Sequence, residues 1–122
     1  IAHAGWKGLV AGILERTVEK MAEAYGSRPE TLSVFIGPHI GVCHYDVGEE
    51  VAARFNPANI VRRDRAFVNL TGEVKMRLRS AGVAKMSASD VCTYCQANRL
   101  YSARFDKKQP LEGAVAYIGL RP

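Results

Sequence analysis

The chain has 122 residues, 48% hydrophobic and 24% charged, and 17 Lys and Arg against 12 Asp and Glu leave a net charge of +5. That fits a single globular domain able to bury roughly two-thirds of its unfolded surface, and excludes disordered, collagen-like and coiled-coil chains. No apolar run reaches the ~18 residues of a membrane span, and the basic residues are scattered apart from Arg62-Arg63-Asp64-Arg65, so a solvated basic face or an anionic small molecule is expected ahead of nucleic acid.

The opening Ile1-Ala2 reads as the end of a buried strand entered partway, which predicts a longer protein. A glycine-bounded turn follows at Gly5-Trp6-Lys7-Gly8. From Leu9 to Tyr25, apolar residues at Val10, Ile13, Leu14, Val18, Met21, Ala22 and Tyr25 recur at helical spacing, and Gly26 is the expected stop. Leu32 to Ile36 reads as a strand ended by Gly37-Pro38. Gly48 to Phe55 predicts a short helix ended by Asn56-Pro57, and residues 58–66 read as an exposed connection. Leu70 to Ala81 is a second long helix with Val74, Leu78 and Ala81 inward and Gly82 as its cap. Val83 to Met86 predicts a short strand, Lys107 to Pro110 a turn, and Ala114 to Leu120 a final buried strand. This succession gives an α/β (α+β) class, a mixed sheet with packed helices.

Few side chains are placed for chemistry. His3, between a strand end and a helix start, can be a metal ligand, a general base or a histidine satisfied locally. The Gly5 to Gly8 turn, with Lys7 inside it, suits an anion at a helix start or is a plain tight turn, and it lacks the P-loop spacing. Cys92-Thr93-Tyr94-Cys95 is a CxxC that can be redox-active, half a zinc site or two partly buried thiols. Cys43, His39 and His44 lie together in one loop, so a Cys3His site is arithmetically possible. Arg104 can grip an anion bidentately or form a surface ion pair. Asp46, Glu49 and Glu50 read as helix-start charges. An odd cysteine count without a signal peptide predicts a reducing cytoplasm.

Three motifs occur together: His3-Ala4-Gly5-Trp6-Lys7-Gly8, Ile36 to Gly48 with its Gly-Pro and Cys-His-Tyr-Asp-Val-Gly segments, and Cys92 to Cys95. Their combination resembles the YfiH-like family, long labelled multicopper polyphenol oxidase or laccase-domain proteins and now described as purine nucleoside phosphorylases with adenosine deaminase activity. The resemblance spans essentially the whole chain and makes residues 1–122 the C-terminal part of one YfiH-like, cysteine-hydrolase-type domain, without its N-terminal half. It implies zinc held by two histidines and a cysteine, with His3 at one histidine position and the other two ligands upstream. It implies nucleoside and phosphate as small-molecule partners, adenosine, inosine and methylthioadenosine among them, with Lys7 and Arg104 contacting the anion and no nucleic acid or membrane involved.

This sequence departs from the family pattern at several points. Lys7 stands for an arginine, Ala103 and Phe105 for a tyrosine and an arginine, and Gly113-Ala114-Val115 loses another arginine. Losing guanidinium forks weakens bidentate phosphate binding. Two other readings stand beside the enzyme: a non-catalytic fragment or binding protein with a structural Cys/His zinc site, and a copper-dependent polyphenol oxidase. Three histidines cannot furnish the ligands of a multicopper cluster.

Overall fold

The computed structural model describes residues 1–106 and 113–119. The expected long first helix is two helices, α1 (Trp6–Val10) and α2 (Ile13–Tyr25). The break falls at Gly12, whose φ of +81° is open to glycine at little cost. Leu9 on α1 and Leu14 and Val18 on α2 are buried, while Tyr25 projects into solvent beside the Gly26 stop.

A 3-10 turn over Pro29–Thr31 leads into strand β1 (Ser33–Ile36). After a long loop come β2 (Asp46–Val47) and α3 (Glu49–Ala52), and Asn56 caps a second 3-10 turn at Pro57–Asn59 by accepting from the Ala58 N–H. The segment expected as an exposed connection is instead a hairpin of β3 (Ile60–Arg62) and β4 (Ala66–Val68). Its turn carries the arginine cluster, and the flanking residues alternate as strand: Ala66 and Val68 are buried, and Phe67 between them is half-buried. Helix α4 (Leu70–Ser80) runs as expected, with Asn69 accepting from the Gly72 N–H at its start and Gly82 beyond its end at φ +89°. That turn carries the chain through Val83, so β5 is Lys85–Ala88, two residues later than the spacing predicts. A short α5 (Ala103–Asp106) follows a run of turns.

Parallel and antiparallel pairings both occur, in two separate sheets. β1 pairs in parallel with β5, Ser33 opposite Lys85 through Ile36 opposite Ala88. β2, β4 and β3 form an antiparallel sheet with β4 central. Leu9, Leu14, Val18, Tyr45, Phe55, Val68, Val74, Leu78 and Val83 make one core between these sheets and the helices. Buried Glu73 of α4 is held there by Asn59 Nδ2 at 2.8 Å, Arg77 Nε at 2.8 Å and the Asn56 N–H at 3.3 Å.

Two end expectations are corrected. Ile1 is exposed and Ile1-Ala2 forms no strand, because no strand among the described residues lies alongside to pair with it. Residues 114–119 likewise form no strand, and Val115, Tyr117 and Ile118 are exposed; their backbone has no ladder partner among the described residues. The turn expected at Lys107 to Pro110, and Leu120, lie outside the described residues.

Candidate functional site

The β1–β5 pairing decides which loops meet. Parallel strands send their following loops off the same edge. Ser89 donates its N–H to the Ile36 carbonyl, His39 bridges to Cys92, and Thr93 donates to the His39 carbonyl at 3.0 Å. The two loops therefore run together and bring Cys43 and His44 against Cys92 and Cys95. The four ligand atoms lie within 4.8 Å of one another. His44 Nδ1 is 3.3 Å from the Cys43 and Cys95 sulfurs and 4.0 Å from that of Cys92, and the Cys43 and Cys95 sulfurs are 3.7 Å apart. Of the two histidines open to this set, His44 joins it and His39 does not. His39 donates from Nδ1 to the Gly37 carbonyl and accepts at Nε2 from the Thr71 hydroxyl, both at 2.9 Å, which occupies both ring nitrogens.

Electrostatics inside the cluster are divided. Burial opposes ionisation of Cys92, but N–H groups of Cys95 and Gly41 and the side chains of His44 and Cys43 outweigh it and bring this thiol down to about 6. Cys95 is pushed up to about 11, first by its hydrogen bond to Cys92 and then by Cys43.

A second feature is a cleft of about 660 Å³ whose walls include Trp6, Tyr45, Asp46, Asp64, Arg65 and Arg104. Asp46 of β2 holds both arginines, Arg65 at 2.8 Å and Arg104 at 3.0 Å, and Arg104 also donates to the Asp46 carbonyl. Asp46 is thus an ion-pair centre, while Glu49 and Glu50 occupy the first turn of α3. The Arg65 hydrogen bond is the largest influence on Asp46; burial works against it, and Arg104 helps hold the carboxyl below its ordinary range. The Arg104 guanidinium lies 5.6 Å over the Tyr45 ring. Burial raises the Tyr45 phenol and Arg104 opposes the rise.

The residues singled out from sequence are dispersed. Arg104 lines the cleft. Lys7 is not among its walls and stands 5.7 Å over the Trp6 ring. The five-residue α1 gives Lys7 little helix dipole to reinforce. His3 is exposed and its Nε2 lies close over Gly5, where an added Cβ would come within 3.1 Å. Among the described residues no group of three metal-ligating side chains includes His3. Sequence reasoning missed Arg65 and Trp6 as cleft residues; their signal is long range, since only the hairpin turn brings Arg65 back to Asp46.

The profile of the multi-copper polyphenol oxidoreductase laccase family matches residues 1–120. A purine nucleoside phosphorylase of Deinococcus radiodurans is 41% identical over 115 residues, covering 88% of this chain and 44% of that protein. The purine nucleoside phosphorylase YfiH of Escherichia coli is 35% identical over 113 residues, 87% of this chain and 45% of its own. Among solved structures, a YfiH protein of Bacillus licheniformis superposes with a TM-score of 0.79 at 28% identity, covering 87% of this chain and 44% of that one. YlmD of Geobacillus stearothermophilus gives 0.78 at 28% identity, with 87% and 43% covered. The chain thus spans about half the length of the curated relatives it matches.

Proposed function

This chain belongs to the multi-copper polyphenol oxidoreductase laccase family, and from that premise we propose that it is part of a purine nucleoside phosphorylase, the C-terminal portion of one catalytic domain. The relatives carrying that name support the reading. The observation that carries it within the chain is the cleft, where two guanidinium groups share one carboxylate beside Trp6 and Tyr45.

In this reading the purine lies against the aromatic wall and phosphate takes the guanidinium edge. Arg104 and Arg65 have more donors than Asp46 can accept, so a phosphate oxygen can join them without leaving a charge unpaired. Bound there, a phosphate oxygen attacks the anomeric carbon of the nucleoside. The bond to the purine nitrogen breaks with its electron pair on the base, which takes up the proton given up by the attacking hydrogen phosphate, and ribose 1-phosphate remains. Positive side chains favour the dianion and hold it in line, which is the chief help a protein gives such a displacement.

The resemblance extends the proposal to adenosine deamination, in which water adds at purine C6 and ammonia leaves, and to zinc held partly by His3. His3 has no second and third ligand beside it among the described residues, so those residues do not by themselves fit that zinc. Lys7 is proposed as a secondary anion contact. Copper oxidase chemistry has the weaker claim. In this chain His39 is fully hydrogen-bonded and His44 stands among thiols, so no histidine set is assembled.

The test is phosphate dependence in the full-length protein. A charge-assisted hydrogen bond to phosphate is worth about 1.5–3 kcal/mol, so Arg104→Ala should raise the KM for phosphate roughly ten- to a hundredfold, with Arg104→Lys between. An unchanged phosphate KM in Arg104→Ala would remove Arg104 from the site.

A further inference from the structure

We infer that Cys43, His44, Cys92 and Cys95 form a closed, structural zinc site that staples the loop after β1 to the loop after β5. The inference is independent of the nucleoside reading, because it uses none of the cleft residues and not His3.

Geometry is the first support. A tetrahedral zinc with bonds of about 2.3 Å to sulfur and 2.0–2.1 Å to nitrogen sets its ligands about 3.8 Å apart for two sulfurs and about 3.5 Å for sulfur and nitrogen. The cluster shows 3.7 Å between the Cys43 and Cys95 sulfurs, and 3.3, 3.3 and 4.0 Å from His44 Nδ1 to the three sulfurs. These four separations lie within about half an ångström of that geometry, and all four donor atoms lie within 4.8 Å of one another. The separations are far from the ~2.05 Å of a disulfide, and all three cysteines are free.

The surroundings are the second support. The Gly41 N–H donates to the Cys92 sulfur at 3.2 Å, a bond that stabilises a thiolate ligand. A Cβ at Gly41 would stand 3.2 Å from both the Cys43 sulfur and Cys92 Cβ, so a larger residue here would press on the cluster that the Gly41 N–H approaches. The Tyr94 ring stacks on His44 at 4.2 Å, fixing the ring that presents Nδ1. Cys92 and Cys95 have two residues between them within one turn, the spacing by which a short segment supplies two ligands to one metal.

The donor set names the metal class. Three soft thiolates and an imidazole at tetrahedral spacing suit zinc, and four protein ligands leave no position open for substrate or water. The site is therefore structural. It also bears on the cleft, because Tyr45 and Asp46 directly follow the first pair of ligands, and Phe105, beside Arg104, packs edge-on against Tyr94 at 5.4 Å.

The experiment counts zinc and thiols in the full-length protein. Elemental analysis should find one zinc equivalent, separate from any that depends on His3, that Cys92→Ser and Cys95→Ser each lose and that His3→Ala keeps. Cobalt loaded in its place should show thiolate-to-cobalt charge transfer and the intense visible bands of tetrahedral cobalt. Because those variants can fail to fold, alkylation of the folded unmodified protein gives a separate readout. Zinc at about a hundred times its Kd should slow modification of Cys43, Cys92 and Cys95 roughly a hundredfold by mass action. Equal zinc in the Cys92→Ser and unmodified proteins, or equal alkylation rates with and without zinc, would overturn the inference.

Discussion

Replacing Glu73 by alanine should cost more than any surface change in this protein. The carboxylate is 1% exposed, and it accepts from Asn59 Nδ2 and Arg77 Nε at 2.8 Å and from the Asn56 N–H at 3.3 Å. Alanine removes one charge and leaves three donors without their acceptor. Arg77 also reaches Glu15 of α2 at 3.5 Å, so the change loosens the contact between α2 and α4 as well. Removing one partner of a fully buried ion pair costs about 3–5 kcal/mol; Arg77 is 22% exposed and keeps Glu15 within reach, so the loss here falls toward the lower end of that range, about 3 kcal/mol. Glu73→Gln keeps an acceptor for Asn59 and loses the charge, and should cost about 1–3 kcal/mol. Urea denaturation followed by circular dichroism gives both values, read as shifts in midpoint at constant slope. A loss below about 1 kcal/mol for Glu73→Ala would refute the claim that this carboxylate ties the 56–59 turn to α4.

Two further outcomes follow from local geometry. Gly26 and Gly82 both sit at left-handed φ, but a Cβ at Gly26 meets nothing within 4 Å while one at Gly82 comes within 3.1 Å of Pro29 Cβ. Gly26→Ala should therefore cost about 1 kcal/mol by the same denaturation assay, from backbone strain alone, and Gly82→Ala more; equal costs would discount the Pro29 contact. Asp46 is held below its ordinary value of 3.8, chiefly by the Arg65 hydrogen bond. A lowered carboxylate contributes stability that is complete above the ordinary value and lost as pH falls through the lowered one. An NMR titration should place its midpoint below 3.8 and return it toward that value in Arg65→Ala; a midpoint at or above 3.8 in the unmodified protein contradicts the ion-pair geometry.

The helices α2 and α4 and strand β1 were legible because their apolar residues keep one period and glycine marks both helix ends. The β3–β4 hairpin was not, because Arg62 to Arg65 dominates the segment and its strands are only three residues each. Ile60-Val61 and Phe67-Val68 were the available signal, β-branched and aromatic residues on either side of a polar turn. The terminal segments misled for a different reason. A continuous apolar run such as 114–118 announces burial but not its partner, and strand formation needs the partner.

The site divides the same way. Cysteine arithmetic found the Cys3His set, and only the parallel β1–β5 register selects His44 over His39. The cleft joins residues from α1, β2, the hairpin turn and α5, a gathering that no spacing along the chain encodes. Among the described residues no helix is long and apolar enough to cross a membrane.

Phosphorolysis is tested by incubating the full-length protein with adenosine, with and without phosphate, and quantifying both products. Phosphorolysis gives purine base (adenine, with hypoxanthine from any adenosine deaminated first) and ribose 1-phosphate in equal total amounts, formed only when phosphate is present. No release of base, or release at the same rate without phosphate, would contradict it.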